Sequence, residues 1–328
     1  MPRGGGVDAR LRMTAAAVRA GRMVAGDFAA IPGIPGRPRA VMILQYRIRI
    51  RIRAPARARI QAYTYAERPP CRRRSLMPTF HRSRITMTQN IYDDPDFFEG
   101  YGQLPRSRDG LDGAPEWPSL RAMLPNVAGR RVVDLGCGYG WFCRWAAEQG
   151  AARVLGIDVS ARMLDRAREM TTSPAVRYER ADLERLSLPS ASFELAYSSL
   201  AFHYVEHLPA LFGAIGRALV PDGRLVFSIE HPIYMASRRP QWRIDENGHR
   251  FWPVDGYRIE GRRTTDWFAA GVVKYHRTLG TLLNQLIAAG FRIDHLDEWG
   301  PSDEQVAAQP ALAQERERPM FALVGARR

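Results

Sequence analysis

Three carboxylates, Asp134, Asp158 and Asp182, stand at or near the ends of three short runs, Arg131-Val-Val-Asp-Leu135, Arg153-Val-Leu-Gly-Ile-Asp158 and Val176-Arg-Tyr-Glu-Arg-Ala-Asp182. The first run leads straight into Gly136-Cys-Gly-Tyr-Gly140. Glycines at this spacing let the backbone pass close to a ligand and turn sharply where side chains would block it. Asp158, 18 residues after Gly140, can accept both hydroxyls of a ribose, each charge-assisted bond contributing about 1.5–3 kcal/mol. Asp182 can accept from an exocyclic amine. Together the three acids outline a nucleoside. Taken alone, Asp158 also reads as a turn or helix-capping carboxylate; three acids closing three successive runs favour the ligand. A G-x-G-x-x-G dinucleotide turn would need glycine at 141 or 143, where Trp141 and Cys143 stand.

The elements needed to hold these acids follow from the same stretch. The runs read as strands, and Trp141–Glu148 and Ser160–Met170, the latter with Ser160 as its cap, read as the helices after the first two. A fourth strand is expected at Phe193–Ser198, a helix at Leu208–Leu219, and the strand Arg224–Glu230 after the turn Pro221-Asp-Gly223. Ser119–Leu124 reads as a helix before the first strand. Alternating strands and helices imply an α/β, doubly wound parallel sheet covered on both faces, with its ligand beyond the carboxyl ends of the strands.

On these residues the chain resembles the class I S-adenosylmethionine-dependent methyltransferase family, of the small-molecule type. Val132–Gly140 is similar to that family's first motif, Gly156-Ile-Asp158 with Ser160 and Met163-Leu164 to its second, and Ala181-Asp182-Leu183 to its third. Ser198–Tyr204 and Leu219–Gly223 resemble two later motifs, with Asp222 where glycine is common. The likeness is strong over Val132–Ser228. It implies a Rossmann-like, seven-stranded, mostly parallel sheet with helices on both faces. The helix Thr278–Ala289 and the strands Phe291–Leu296 and Met320–Val324 correspond to the family's closing antiparallel hairpin. It implies that Asp134, Gly136 and Gly138 hold the methionine end of S-adenosyl-L-methionine, Asp158 the ribose, and Asp182 with the Leu183 backbone the adenine. Ser198 would line the cofactor below its sulfur.

Methyl transfer requires orientation and, for an alcohol, phenol or thiol acceptor, removal of a proton. His203 and His231, after the fourth and fifth strands, are the catalytic candidates, since histidine titrates near working pH. His203 also reads as a packed residue between Phe202 and Tyr204. Tyr101, Arg106, Tyr204, Glu230, Lys274 and His276 are candidate substrate contacts; Lys274 is the chain's only lysine. Between His231 and His276 the strand pattern stops and aromatic residues accumulate, which reads either as a lid over a small molecule or as a packed subdomain. A base-methylating nucleic-acid enzyme would carry Asn/Asp-Pro-Pro-Tyr/Phe after the fourth strand, where Ser198-Ser-Leu-Ala201 stands. A noncatalytic nucleoside-binding module would tolerate loss of Asp134 or Asp158, and both are present. The expected partner is therefore a small-molecule methyl acceptor.

Charge sharpens that choice. The 328 residues carry a formal charge of +14, which taken whole suggests a nucleic-acid or membrane partner. Residues 1–86 hold 19 Arg, no Lys and three acids, whereas residues 87–328 hold 29 bases against 31 acids. No nucleic acid is expected for the second part. No apolar stretch approaches the roughly 20 residues of a membrane span, so no membrane partner is expected either. The three cysteines have no metal-ligand spacing, and no metal is expected; a cytoplasmic location is the default. The composition assigns no oligomeric state. Two domains result: a poorly structured, Arg-rich extension over 1–86, and a methyltransferase domain over 87–328 with 231–276 as an aromatic lid insertion. Within the extension, Tyr46–Arg53 alternates Arg and Ile; as a strand its Arg face would bind phosphates. The extension reads as an organelle transit segment, although it holds only two serines, or as a mis-set start ahead of Met87. Arg, Ala, Pro and Gly dominance is what GC-rich DNA gives without selection for folding, and we favour the second reading. N-terminal sequencing of the native protein is expected to begin at Met87; recovery of earlier residues would contradict this.

Overall fold

The structure, a computed structural model, describes residues 88–328. The readings placed on residues 1–86, among them the Tyr46–Arg53 strand and the start at Met87, lie outside the described residues. In chain order the helices are α1 (Pro95–Gly102), α2 (Pro105–Arg108), α3 (Trp117–Met123), α4 (Trp141–Glu148), α5 (Ala161–Glu169), α6 (Leu208–Ala218), α7 (Pro232–Ala236), α8 (Leu279–Ala288) and α9 (Asp303–Ala308). The strands are β1 (Arg131–Leu135), β2 (Arg153–Asp158), β3 (Val176–Arg180), β4 (Phe193–Ser199), β5 (Leu219–Glu230), β6 (Arg243–Ile244), β7 (Arg250–Phe251), β8 (Gly261–Trp267), β9 (Ala269–His276), β10 (Arg292–Glu298) and β11 (Phe321–Arg327).

Seven strands form one sheet in the order β10-β11-β5-β4-β1-β2-β3. Strands β1 to β5 pair in parallel, and β11 runs antiparallel to both β5 and β10. Strand order reverses between β1 and β4, so the acids ending β1, β2 and the turn after β3 lie side by side at one edge of that crevice, where ligands of such sheets bind. Asp222 adopts φ of 61°, a left-handed conformation that glycine takes without strain.

Alternation along each strand divides the core. Val133, Leu135, Ala196 and Phe227 face Leu211, Phe212 and Ile215 of α6 and Leu282 and Leu286 of α8. Val132, Leu195, Tyr197 and Val226 face Trp117, Leu120, Phe142 and Ala146 on the other side. Tyr197 and Phe142 stack with centroids 3.6 Å apart. Ser160 caps α5 as its sequence suggests, accepting from Met163 N at 3.1 Å.

The region between His231 and His276 is not free of strands. It holds the short β6–β7 pair and a longer β8–β9 hairpin. The hairpin reverses at Phe268, a non-glycine residue at φ of 55°, rather than at an Asn-Gly or Asp-Gly turn. Among the described residues no helix is long and apolar enough to cross a membrane.

Phe212 is fully buried against Phe202 and Phe227. Phe212→Ala is expected to cost about 3–5 kcal/mol in urea unfolding; a loss below about 1 kcal/mol would contradict this core.

Candidate functional site

The glycine turn and the substrate-side elements share one cavity of about 570 Å³, within the range of small-molecule sites. Its floor is the turn after β1. Gly136, Gly138 and Gly140 all have positive φ, at 80°, 51° and 69°, so the turn is closed to most side chains. Above Gly138 a Cβ would meet nothing within 4 Å; its open side faces the cavity.

The acids are held in different ways. Asp158 Oδ2 accepts from Gly138 N and Oδ1 from Ser160 N, both at 2.9 Å. Burial raises its pKa, against these backbone bonds and that from Val159 N. A carboxylate has about four lone-pair sites, so acceptor capacity remains for a ribose hydroxyl. Asp134 is buried, with only Cys143 Sγ at 3.4 Å. Burial, aided by the nearby Asp158 charge, pushes it up to about 7, against the Cys143 contact. Asp182 accepts from Thr88 Oγ1 at 2.6 Å and Glu184 N at 3.0 Å, fixing the turn Leu183–Arg185. Leu183 also lines the cavity.

Ser198 does not line it. Period-two alternation turns Ser198 inward, where it is fully buried and donates to Leu135 O at 2.6 Å; Ser199 takes the cavity wall. The sequence motif is thus one residue out of phase with the site.

On the acceptor side, Tyr101, Arg106, His203, Tyr204, Glu230 and Lys274 converge on the cavity. Arg106 is already neutralised: its guanidinium makes a two-pronged bond with the buried Glu116 at 3.0 and 3.1 Å. Tyr92 donates its hydroxyl to that of Tyr204 at 3.2 Å. Lys274 Nζ lies 2.5 Å from Glu230 Oε1 and 5.0 Å from the Trp267 ring centre. Burial raises the Glu230 carboxyl, but His203 and Lys274 pull it below its ordinary value overall.

The histidines depart from expectation. His203 Nδ1 accepts from Glu230 N at 3.4 Å, which places its proton on Nε2 and directs its basic lone pair at the main chain. Burial, with Lys274 and Arg277, lowers it to about 4 although Glu230 opposes this. His203 lines the cavity as a neutral donor, not as a base. His231 lies outside the cavity: it caps α7, its Nδ1 accepting from Ile233 N at 3.0 Å and its Nε2 meeting Glu298 at 2.8 Å. His276 also lies outside, with Nε2 bonded to Tyr257 O at 2.8 Å. His231 immediately follows the last residue of β5 and His276 is the last residue of β9, positions where a one-residue change in direction decides which side a side chain serves.

Sequence reasoning missed Thr88, Ser199, Arg263 and Thr265. Thr88 and Ser199 have no motif of their own. Arg263 and Thr265 reach the cavity because the β8–β9 hairpin folds over it, and its turn carries no sequence signal.

A methyltransferase domain model matches residues 133–227. A solved S-adenosylmethionine-dependent methyltransferase from Mesorhizobium loti is 61% identical, covering 67% of this chain and 100% of its own, with a TM-score of 0.65. A Listeria monocytogenes structure assigned to the same group is 40% identical over 67% of this chain and 99% of its own, with a TM-score of 0.63. A malonyl-[acyl-carrier protein] O-methyltransferase of Enterobacter lignolyticus is 36% identical over 132 residues, 40% of this chain, and the match spans about half (51%) of that relative.

Asp134 generates a pH prediction. Its carboxyl keeps its proton in the folded chain up to about pH 7 but loses it near 3.8 when unfolded. The native state therefore binds more protons in that window, and stability falls as pH rises from about 4 to about 7, by about 1.4 kcal/mol per unit of difference. Asp134→Asn removes this, so its unfolding free energy relative to the unaltered chain should grow across that window. A gap that stays flat or shrinks, in denaturant titrations at pH 4.5 and 7.5, would contradict the assignment.

Proposed function

From the premise that this chain belongs to the S-adenosylmethionine-dependent methyltransferase family, we propose that it transfers the methyl group to a small-molecule acceptor. The observation carrying this reading is that the glycine turn and the aromatic acceptor wall line a single cavity. The near-neutral charge of residues 87–328 and the absence of an Asn/Asp-Pro-Pro-Tyr/Phe segment after β4 support a small acceptor over a nucleic acid. The Enterobacter lignolyticus relative is named for transfer to a malonyl group on an acyl-carrier protein, which supports an acyl acceptor over a nucleic acid.

The cradle fits S-adenosyl-L-methionine. The open side of Gly138 leaves room above the turn, and Asp158 has acceptor sites to spare for a ribose. In this reading Asp134, Gly136 and Gly138 hold the methionine end, Asp158 the ribose, and Asp182 and the Leu183 backbone the adenine, with Ser199 on the wall. Bound there, the cofactor supplies a methyl group on a sulfonium, already activated toward a nucleophile. The chain's residues then orient the acceptor and exclude water. Tyr92, Tyr101, Tyr204 and Trp267 form the apolar walls, and the β8–β9 hairpin acts as the lid.

With methyl-labelled cofactor and a cell extract separated into ultrafiltrate, protein and nucleic acid, the full chain is expected to label the ultrafiltrate. Label confined to nucleic acid or protein would contradict a free small-molecule acceptor.

A further inference from the structure

We propose that the acceptor is an ionised carboxylate, seated between Arg263 and Lys274 on the cavity face of the β8–β9 hairpin and methylated there without a general base. This rests on the small-molecule reading and narrows it. Arg263 and Lys274 are direct cross-strand partners, so their side chains leave the hairpin on the same face. Each is only 5% exposed, and both line the cavity. Like charges directly opposite destabilise a strand pair, and removal of water strengthens the repulsion.

One carboxylate, Glu230, meets this pair, through Lys274. Arg263 donates to the carbonyls of Ala236, Gly261, Arg262 and Ile259 and has no carboxylate ion pair among the described residues. Arg106 is cancelled by Glu116. Asp266 at the rim is exposed and accepts from Gly271 N. Asp255, exposed and outside the cavity lining, acts on Arg263 without forming an ion pair, so the inner acceptor wall carries one cation with no ion-pair partner among the described residues. Thr265, two residues from Arg263 and on the same face, has a buried hydroxyl with no partner, and Lys274 spends one of its three N–H donors on Glu230. A carboxylate supplies both the missing charge and the missing acceptors.

The chemistry agrees with the wall. An alcohol or phenol needs a base, and an ammonium acceptor would add a third cation and also need to lose a proton. His203 directs its lone pair at the main chain, and His231 and His276 stand outside the cavity. A carboxylate is ionised at neutral pH. Its oxygen forms the new C–O bond as the S–C bond breaks, the bonding pair stays on sulfur, and no proton moves.

The test uses the full chain, methyl-labelled cofactor and the extract ultrafiltrate. Products are divided and one half is treated with mild alkali, which cleaves methyl esters to volatile methanol but leaves N-, S-, C- and ether-linked methyl groups intact. Most of the transferred label is expected to become volatile. Alkali-stable label would overturn the carboxylate and leave the small-molecule reading standing; no transfer to any fraction would overturn both. Arg263→Met and Lys274→Met should lower ester yield at limiting acceptor by about 10- to 150-fold, with calorimetric affinity for S-adenosylhomocysteine near that of the unaltered chain. Because Lys274→Met strands Glu230, the double variant Lys274→Met/Glu230→Gln is measured beside it, and Lys274→Arg should recover part of the yield. Unchanged yield in Arg263→Met and in the double variant would overturn the seating of the acceptor.

Discussion

The two bonds of the Asp158 carboxylate hold the site in register. One oxygen fixes Gly138, in the turn after β1; the other fixes Ser160, at the start of α5. Ser160 Oγ in turn donates to Asp93 at 2.6 Å, which ties the N-terminal side of the cavity to the same anchor. A single buried anion therefore links three segments far apart in sequence, and the sheet order makes that linkage short. Charge-assisted bonds to backbone N–H are strong where water is excluded. In the proposed reading the carboxylate's remaining acceptor capacity serves a cofactor ribose.

Much of this was legible in the sequence because glycine turns and strand-ending acids have local causes. The order of β1 to β5 and the Ser160 cap follow from period-two and helical spacing; β1 to β4 lie within two residues of the expected runs, whereas β5 begins at Leu219, five residues before Arg224, and takes up the Pro221-Asp-Gly223 turn. Side chains at the ends of strands were harder to read. Ser198 and Ser199 differ by one position, and so by a face of the sheet. His231 is a site candidate because it follows the fifth strand, and His276 because it precedes the C-terminal helix beside Lys274, yet local bonds to Ile233 N and Tyr257 O turn them elsewhere. The β8–β9 hairpin escaped notice because Phe268 makes its turn in a conformation that its type does not announce.

The cavity as a whole shows function working against stability. A buried Asp134 whose carboxyl burial pushes up to about 7, two cations facing each other across a hairpin and an unpartnered threonine hydroxyl each carry a cost in the free chain. Such groups persist where a ligand completes them. The large aromatic and aliphatic core on both faces of the sheet offsets that cost and keeps the cavity walls fixed.

The central claim is that the strand-end acids form a nucleoside cradle anchored by Asp158. Isothermal titration of the chain with S-adenosylhomocysteine tests it most directly. The account predicts saturable binding at one site per chain, weakened by about 10- to 150-fold in Asp158→Ala. No detectable binding by the intact, folded chain, or equal affinity in the variant, would contradict it.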